Sequence, residues 1–479
     1  MRLALAFAVA TTACGAEELV LRPVLDHPTD SDSSVLPELD TLPLTIAHAG
    51  AADDLVSQTF VRGEAIELAG TTFASDLVIH LSGRVGGSEV AYGRTCVFAV
   101  TPDRPLPTPH LFFSRSVKFA ALALTARTRT GGRALTDHDG RAIIVGGDAD
   151  ATQPQLDVER FDPRTGVWAV LGRLAARRAV SSAALGVSTS RIAVLGGSPD
   201  GITGAAFVEL LELDNPTERR IERLSDSHLG RTELTTTELT DGRIVAIGGR
   251  RPEDAAVSGA ITTVEEIPGT VEIRELRARL AHPRVHHTAT RLGDDVGAPV
   301  LIVGGLDAAG QPVAIAELFK PLSEDLASPT TFAWPMVVPR SRHHATIMPD
   351  GSVLIVGGID AAGQPVRLLE RFSIDAGFTA AGELPPGAGI VDVTATTLPD
   401  GRILLTGGRL ALDGAPIDDA FIARLDPLDG AVDVVQTDKL AIPRAGHAAT
   451  LVCDGTIIIA GGGSADLVER YNPPQLGRR

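Results

Sequence analysis

Aromatic side chains are scarce in this chain, at 4% of 479 residues, with only two Trp and two Tyr. Cysteine is scarcer still, at three residues, which excludes a disulfide-dense scaffold. Cations are outnumbered, 43 Lys and Arg against 60 Asp and Glu, for a formal charge of −17. An acidic chain is a poor partner for nucleic acid, because every phosphate contact needs a cation. Beyond the amino terminus no stretch is long and apolar enough to span a bilayer as a helix. Sustained 3.6-residue periodicity is almost missing as well, which argues against a helical architecture.

Glycine, by contrast, is abundant at 50 residues. Short apolar runs end in paired glycines seven times: Gly146-Gly147, Gly196-Gly197, Gly248-Gly249, Gly304-Gly305, Gly357-Gly358, Gly407-Gly408 and Gly461-Gly462. Successive first glycines are 50, 52, 56, 53, 50 and 54 residues apart. Residues 300–319 and 353–372 are nearly the same twenty residues written twice, including the loop DAAGQP. Such a period marks a repeated structural unit. Five copies carry Asp-Gly seven residues before the glycine pair: Asp139, Asp241, Asp350, Asp400 and Asp454 lead them. Asp-Gly between apolar strands predicts a type I′ hairpin. Each unit reads as four short antiparallel strands, and such units bury both faces only by stacking around an axis.

Upstream of the repeats, residues 1–14 read as a signal peptide, with Arg2, an apolar run from Leu3 to Ala10, and small residues before Cys14. This resembles the lipobox of bacterial lipoproteins, although Thr11 stands where Leu is usual. The resemblance implies lipidation at Cys14 and residence in the bacterial cell envelope, on the periplasmic or outer-membrane face. Residues 15–41, rich in Ser, Asp and Pro, read as a polar tether. Residues 42–119 read as a small antiparallel β-sandwich. Residues 120–479 hold the repeats. The last copy lacks a fourth strand, and His110 to Phe119 is the expected donor. Cys96 and Cys453 permit a disulfide between the two regions, but two unpaired thiols are the preferred reading.

The repeat resembles the kelch motif: an apolar run, Gly-Gly, a Glu, an aromatic, then Trp. Gly146, Gly147, Glu159, Phe161 and Trp168 match it best, and Glu209, Glu317 and Glu370 keep the twelve-residue offset from the second glycine. The resemblance covers about three quarters of the chain and implies an all-β fold, a seven-bladed kelch-type β-propeller preceded by the small β-sandwich domain. It implies nothing specific about function, because propellers host many. Copper-radical oxidases on this fold need a Tyr–Cys cross-link and a second Tyr, which Tyr92 and Tyr471 are not placed to supply. Motifs for nucleophilic hydrolases, zinc proteases and EF-hands are missing.

Strand topology puts the loops after each Gly-Gly on one rim, together with an Arg leading into the first strand of five copies: Arg178, Arg231, Arg284, Arg340 and Arg444. These are the candidate ligand-face residues, suited to an anion. The competing and preferred reading pairs each Arg with a third-strand Glu. His287, His343 and His447 follow the Arg at a fixed offset of three, beside His286 and His344, and read as interblade hydrogen-bonding groups rather than metal ligands. The expected function is a non-enzymatic scaffold presenting its loop face to a protein or glycan, with no cofactor, no catalytic residue and no nucleic acid. The alternative is a periplasmic sugar mutarotase or epimerase.

Overall fold

A computed structural model describes residues 19–28, 35–71, 74–122, 129–150, 153–176, 182–188, 191–197, 205–213, 221–251, 253–267, 270–323, 334–464 and 467–474. The signal peptide and Cys14 lie outside them. The repeats form seven four-stranded antiparallel sheets. In the fourth, the strands run Thr288–Arg291, Val300–Val303, Ile315–Phe319 and Trp334–Pro335 from axis to rim. The innermost strands abut in sequence around the molecule, and Ala448–Leu451 of the last sheet meets Arg133–Thr136 of the first. The chain is thus a closed seven-bladed β-propeller.

Burial pattern explains why the second strand of each blade is a run of consecutive apolar residues, with Arg191 and Thr406 only at strand ends, rather than alternating. Val300–Val303 is buried throughout. Val300 and Ile302 pack with Val245 and Ile247 of blade three, whereas Leu301 and Val303 pack with Val353 and Ile355 of blade five. A sheet covered on both faces selects Val, Ile and Leu at consecutive positions. Each such side chain contributes about 1.5–3 kcal/mol by leaving water.

The paired glycines sit where blades converge. A Cβ on Gly304 would collide with the carbonyl of Arg340 and the ring of His343 in the next blade. One on Gly305, at φ 90°, would meet the carbonyl of Val285. Only glycine satisfies both the positive φ and the close approach.

The Asp-Gly hairpins depart from the expected type I′ turn. At 239–243 only Gly242 has positive φ, while the amide of Gly242 donates to the carbonyl of Leu239 and that of Arg243 to the Asp241 carboxylate. The side chain of Asp caps the turn and the glycine supplies a bulge, so Asp itself keeps ordinary backbone geometry.

Blade seven completes itself with Lys118–Leu122, paired antiparallel to Val468–Asn472. The donor therefore begins where the expected His110–Phe119 ends. His110–Phe112 pairs instead with Val24–Asp26, and Leu111 and Phe113 are buried in the amino-terminal core. That domain is a six-stranded sheet covered by two short two-stranded sheets. Its core takes in Leu21, Val35 and Leu39. Part of the stretch read as a tether is therefore folded: its apolar residues close the sandwich, and only 29–34 of the Ser/Asp-rich segment falls outside the described residues.

Cys96 and Cys453 form a disulfide, correcting the expectation of separate thiols. The amino-terminal domain docks on the Asp-Gly rim of blade seven, which brings the two together. The Asn472 amide there donates to the carbonyls of Tyr92 at 2.8 Å and Ser114 at 3.0 Å. Arg470 is paired with Asp454 and lies 3.9 Å over the Phe112 ring.

Candidate functional site at the axial mouth

Four of the five candidate ligand-face arginines lie in the interior, and Arg178 falls outside the described residues. Arg284, Arg340 and Arg444 are 0% exposed, and Arg231 3%. Arg284 donates to Glu317 at 2.6 Å and to the carbonyls of Gly304 at 3.1 Å and Ile315 at 3.0 Å. Glu317 in turn accepts from the amides of Ala281 and His282 at 2.7 and 3.1 Å. Arg340 pairs with Glu370 in the same way, and Arg444 with Glu469. Arg129, at the same place in blade one but not among the five candidates, pairs with Glu159. Arg231 has Thr262 Oγ1 at 2.8 Å instead. The arginines thus fasten the loop lead-in to the sheet, and the geometry is that of the pairing reading.

The repeated histidines are also internal. Nε2 of His287 lies 2.9 Å from Thr235 Oγ1, Nε2 of His343 2.9 Å from Thr288 Oγ1, and Nε2 of His447 2.8 Å from Thr406 Oγ1. Burial and the adjoining arginines push His343 and His447 down to about 3, so both are neutral at pH 7. No group of three or more His, Cys, Asp or Glu among the described residues is arranged to hold a metal ion.

What faces the axis is the residue two positions after each buried lead-in residue, which is Ile390 in blade six and Arg in the others described. In blades three to six these are Glu233, His286, Arg342 and Asp392, with φ of 56°, 53°, 55° and 56°. Blades one and seven put Gly131 and Gly446 there. Each non-glycine residue in this left-handed region costs about 1–2 kcal/mol. The backbone at these positions is linked around the axis: the amide of Gly131 donates to Gly446 at 3.0 Å, that of Gly446 to Asp392 at 3.1 Å, and that of Arg342 to His286 at 3.2 Å. Glu233 pairs with Arg250 at 3.3 Å and lies 3.6 Å from His286, and Asp392 pairs with Arg409 at 3.4 Å. Arg250 and Arg409 each directly follow a glycine pair. Arg342 is exposed and has no ion-pair partner among the described residues.

Deeper in the channel stand Arg133 and His344, the first residues of the innermost strands of blades one and five. Burial, and after it the charge of Arg133 from a blade that is not a neighbour, takes His344 down to about 4. Nδ1 of His344 is buried without a partner. Burial is also the main force lowering His286; Arg342 and Arg250 add to it, opposed by Glu233 and Asp392. The opposite end of the channel holds a cavity of about 300 Å³ lined by Thr236, Glu238, Ala289, Arg291 and Ile347. A separate groove of about 710 Å³ lies on the outer side between blades six and seven, beside Lys118, Arg424 and Asp433. Neither Tyr is at the mouth: Tyr92 bonds His80 in the amino-terminal domain, and Tyr471 is buried against Phe119.

The fold and this axial ring define a seven-bladed propeller with an ionisable mouth at the axis. Among solved structures the chain is similar to a fungal alcohol oxidase of the AA5 family in complex with copper, at 16% identity and TM-score 0.52, covering 74% of this chain and 76% of that one. It is also similar to the structure of YjhT, at 11% identity and TM-score 0.45, covering 60% and 92%. The oxidase likeness is one of fold alone. No protein-family model and no curated protein sequence matches the chain.

Proposed function

We propose that this chain is a non-enzymatic binding protein of the cell envelope, a kelch-repeat propeller that presents its loop face to a protein or glycan. The observation that carries this reading is how the repeated chemistry is used. The in-register arginines, glutamates and histidines are consumed inside the fold, which leaves a rigid rim rather than a set of free catalytic groups. The twin DAAGQP loops illustrate it. Asp307 Oδ1 accepts from the amides of Ala309 and Gln311 at 2.8 and 2.9 Å, and Asp360 from those of Ala362 and Gln364 at 2.8 Å each. Both loops are self-capped, with Ala and Gln outward. The Cys96–Cys453 disulfide supports a compartment outside the reducing cytosol. Lipid anchoring at Cys14 belongs to the same reading. No helix among the described residues is long and apolar enough to cross a membrane.

A sugar mutarotase or epimerase is the second reading, favoured by one observation: Glu233 and His286, 3.6 Å apart, stand beside Arg342 as an acid–base pair with a cation would. The test incubates the tagged full chain with surface extracts and, in parallel, follows sugar anomer exchange by NMR. Recovery of a specific partner without exchange is expected. Anomer exchange abolished by Glu233→Gln would overturn the binding reading.

A further inference from the structure

Charge at the axial mouth runs against the rest of the molecule. The chain carries −17 overall, yet Arg250, Arg342 and Arg409 face two carboxylates, Glu233 and Asp392, and Arg133 adds a fourth cation below. Four consecutive blades hold ionisable side chains there at a backbone geometry in which glycine serves without strain, as it does in blades one and seven. Strain retained at a cluster of charged groups is the mark of a site rather than of packing. Arg250 and Arg409 are held in their own loops by the carbonyls of Ala255 at 3.0 Å and Gly414 at 2.8 Å. Arg342 alone of the three is left with its guanidinium uncommitted.

We infer that the axial mouth is a carboxylate-binding site, in which Arg342 makes a bidentate contact and Arg133 supplies a second positive charge from within the channel. This rests on the binding reading and names the chemistry of what is bound. A guanidinium presents two parallel N–H donors matched to a carboxylate, which a Lys does not. The backbone hydrogen bonds around the axis narrow the opening, so the site takes one carboxylate with its immediate substituent rather than a flat surface. Arg250 and Arg409, each already balanced by a carboxylate, wall the site without competing for the anion.

The test titrates the full chain calorimetrically with a glutamate-containing tripeptide and its glutamine counterpart, and with a uronic acid beside the neutral hexose. At least tenfold tighter binding of one acid over its neutral twin is expected, and which acid it is separates a peptide source from a sugar source. Affinity should fall with added salt. Arg342→Gln should lower it at least tenfold with Tm unchanged, since the side chain is exposed. Arg342→Lys should fall between, keeping charge but losing the fork. Acids that bind no better than their neutral twins overturn the assignment, as does an Arg342→Gln chain of unchanged affinity. If the partner recovered from extracts still binds the Arg342→Gln chain normally, the binding reading stands and the mouth assignment falls. If acids titrate as expected but no partner is recovered, the reverse holds.

Discussion

Replacing Cys96 with Ser should measurably loosen the whole molecule, because the bridge it makes spans 357 residues. Cross-linking removes loop-closure entropy from the unfolded chain, and that loss grows with the logarithm of loop length. For a loop this long, the chain-entropy relation gives about 6 kcal/mol at 25 °C. Native disulfides more often return about 2–4 kcal/mol, because the unfolded chain keeps some structure. The expected loss is therefore about 2–6 kcal/mol. The Asn472 contacts to Tyr92 and Ser114 keep the amino-terminal domain docked without the bridge, so the folded state itself should change little. Urea unfolding followed by tryptophan fluorescence, on the Cys96→Ser chain and on the parent with and without reductant, reads the difference. Reduced parent and variant should coincide, both with a lower midpoint than the oxidised parent. Midpoints that agree within error, or alkylation of Cys96 in the native, unreduced chain, would refute the argument.

Removing one member of a buried ion pair strands the other. Arg340→Met should cost about 3–5 kcal/mol by leaving Glu370 charged and unpaired, read as a fall in unfolding free energy. A calorimetric profile against pH should show stability rising from pH 5 to 7. His343 and His447 are held to about 3 in the fold against about 6.5 when unfolded, so the unfolded chain takes up protons first as pH falls. The stability they contribute is complete above about 6.5 and lost progressively toward 3. By pH 5 the loss is about 2 kcal/mol for each, and His343→Gln should flatten the profile. Gly304→Ala should cost at least about 2 kcal/mol, from the positive φ together with the collision with the next blade, and circular dichroism melts would register it.

Much of this architecture could be read from residue types alone, for a physical reason. Gly304 and its counterparts are glycines because blades touch backbone to backbone there, and Glu317 and Glu370 hold a fixed offset because each anchors an Arg. Features set by tertiary docking were not legible. The Cys96–Cys453 pairing depends on where the amino-terminal domain lands on blade seven. The closing strand was misplaced by several residues because HLFF and VKFAAL are both apolar, and only the competing demand of the sandwich core assigns Leu111 and Phe113 away from the ring. The Asp-Gly turn type was missed because the Asp side chain, not its backbone, makes the turn. The axial ring was hidden for a related reason: Glu233, His286, Arg342 and Asp392 carry no glycine to advertise positive φ, and only their shared offset of two from the buried lead-in position would have revealed them.

Pairing of Lys118–Leu122 with Val468–Asn472 also dictates when the molecule can finish folding. A nascent chain delivers the first partner some 350 residues ahead of the second. Six sheets can assemble as they emerge, since their strands are close in sequence, but the seventh waits for Val468–Asn472. Until then one backbone edge stands open at each side of the gap, and a chain that stopped before Val468 would be left as a horseshoe prone to join another of its kind.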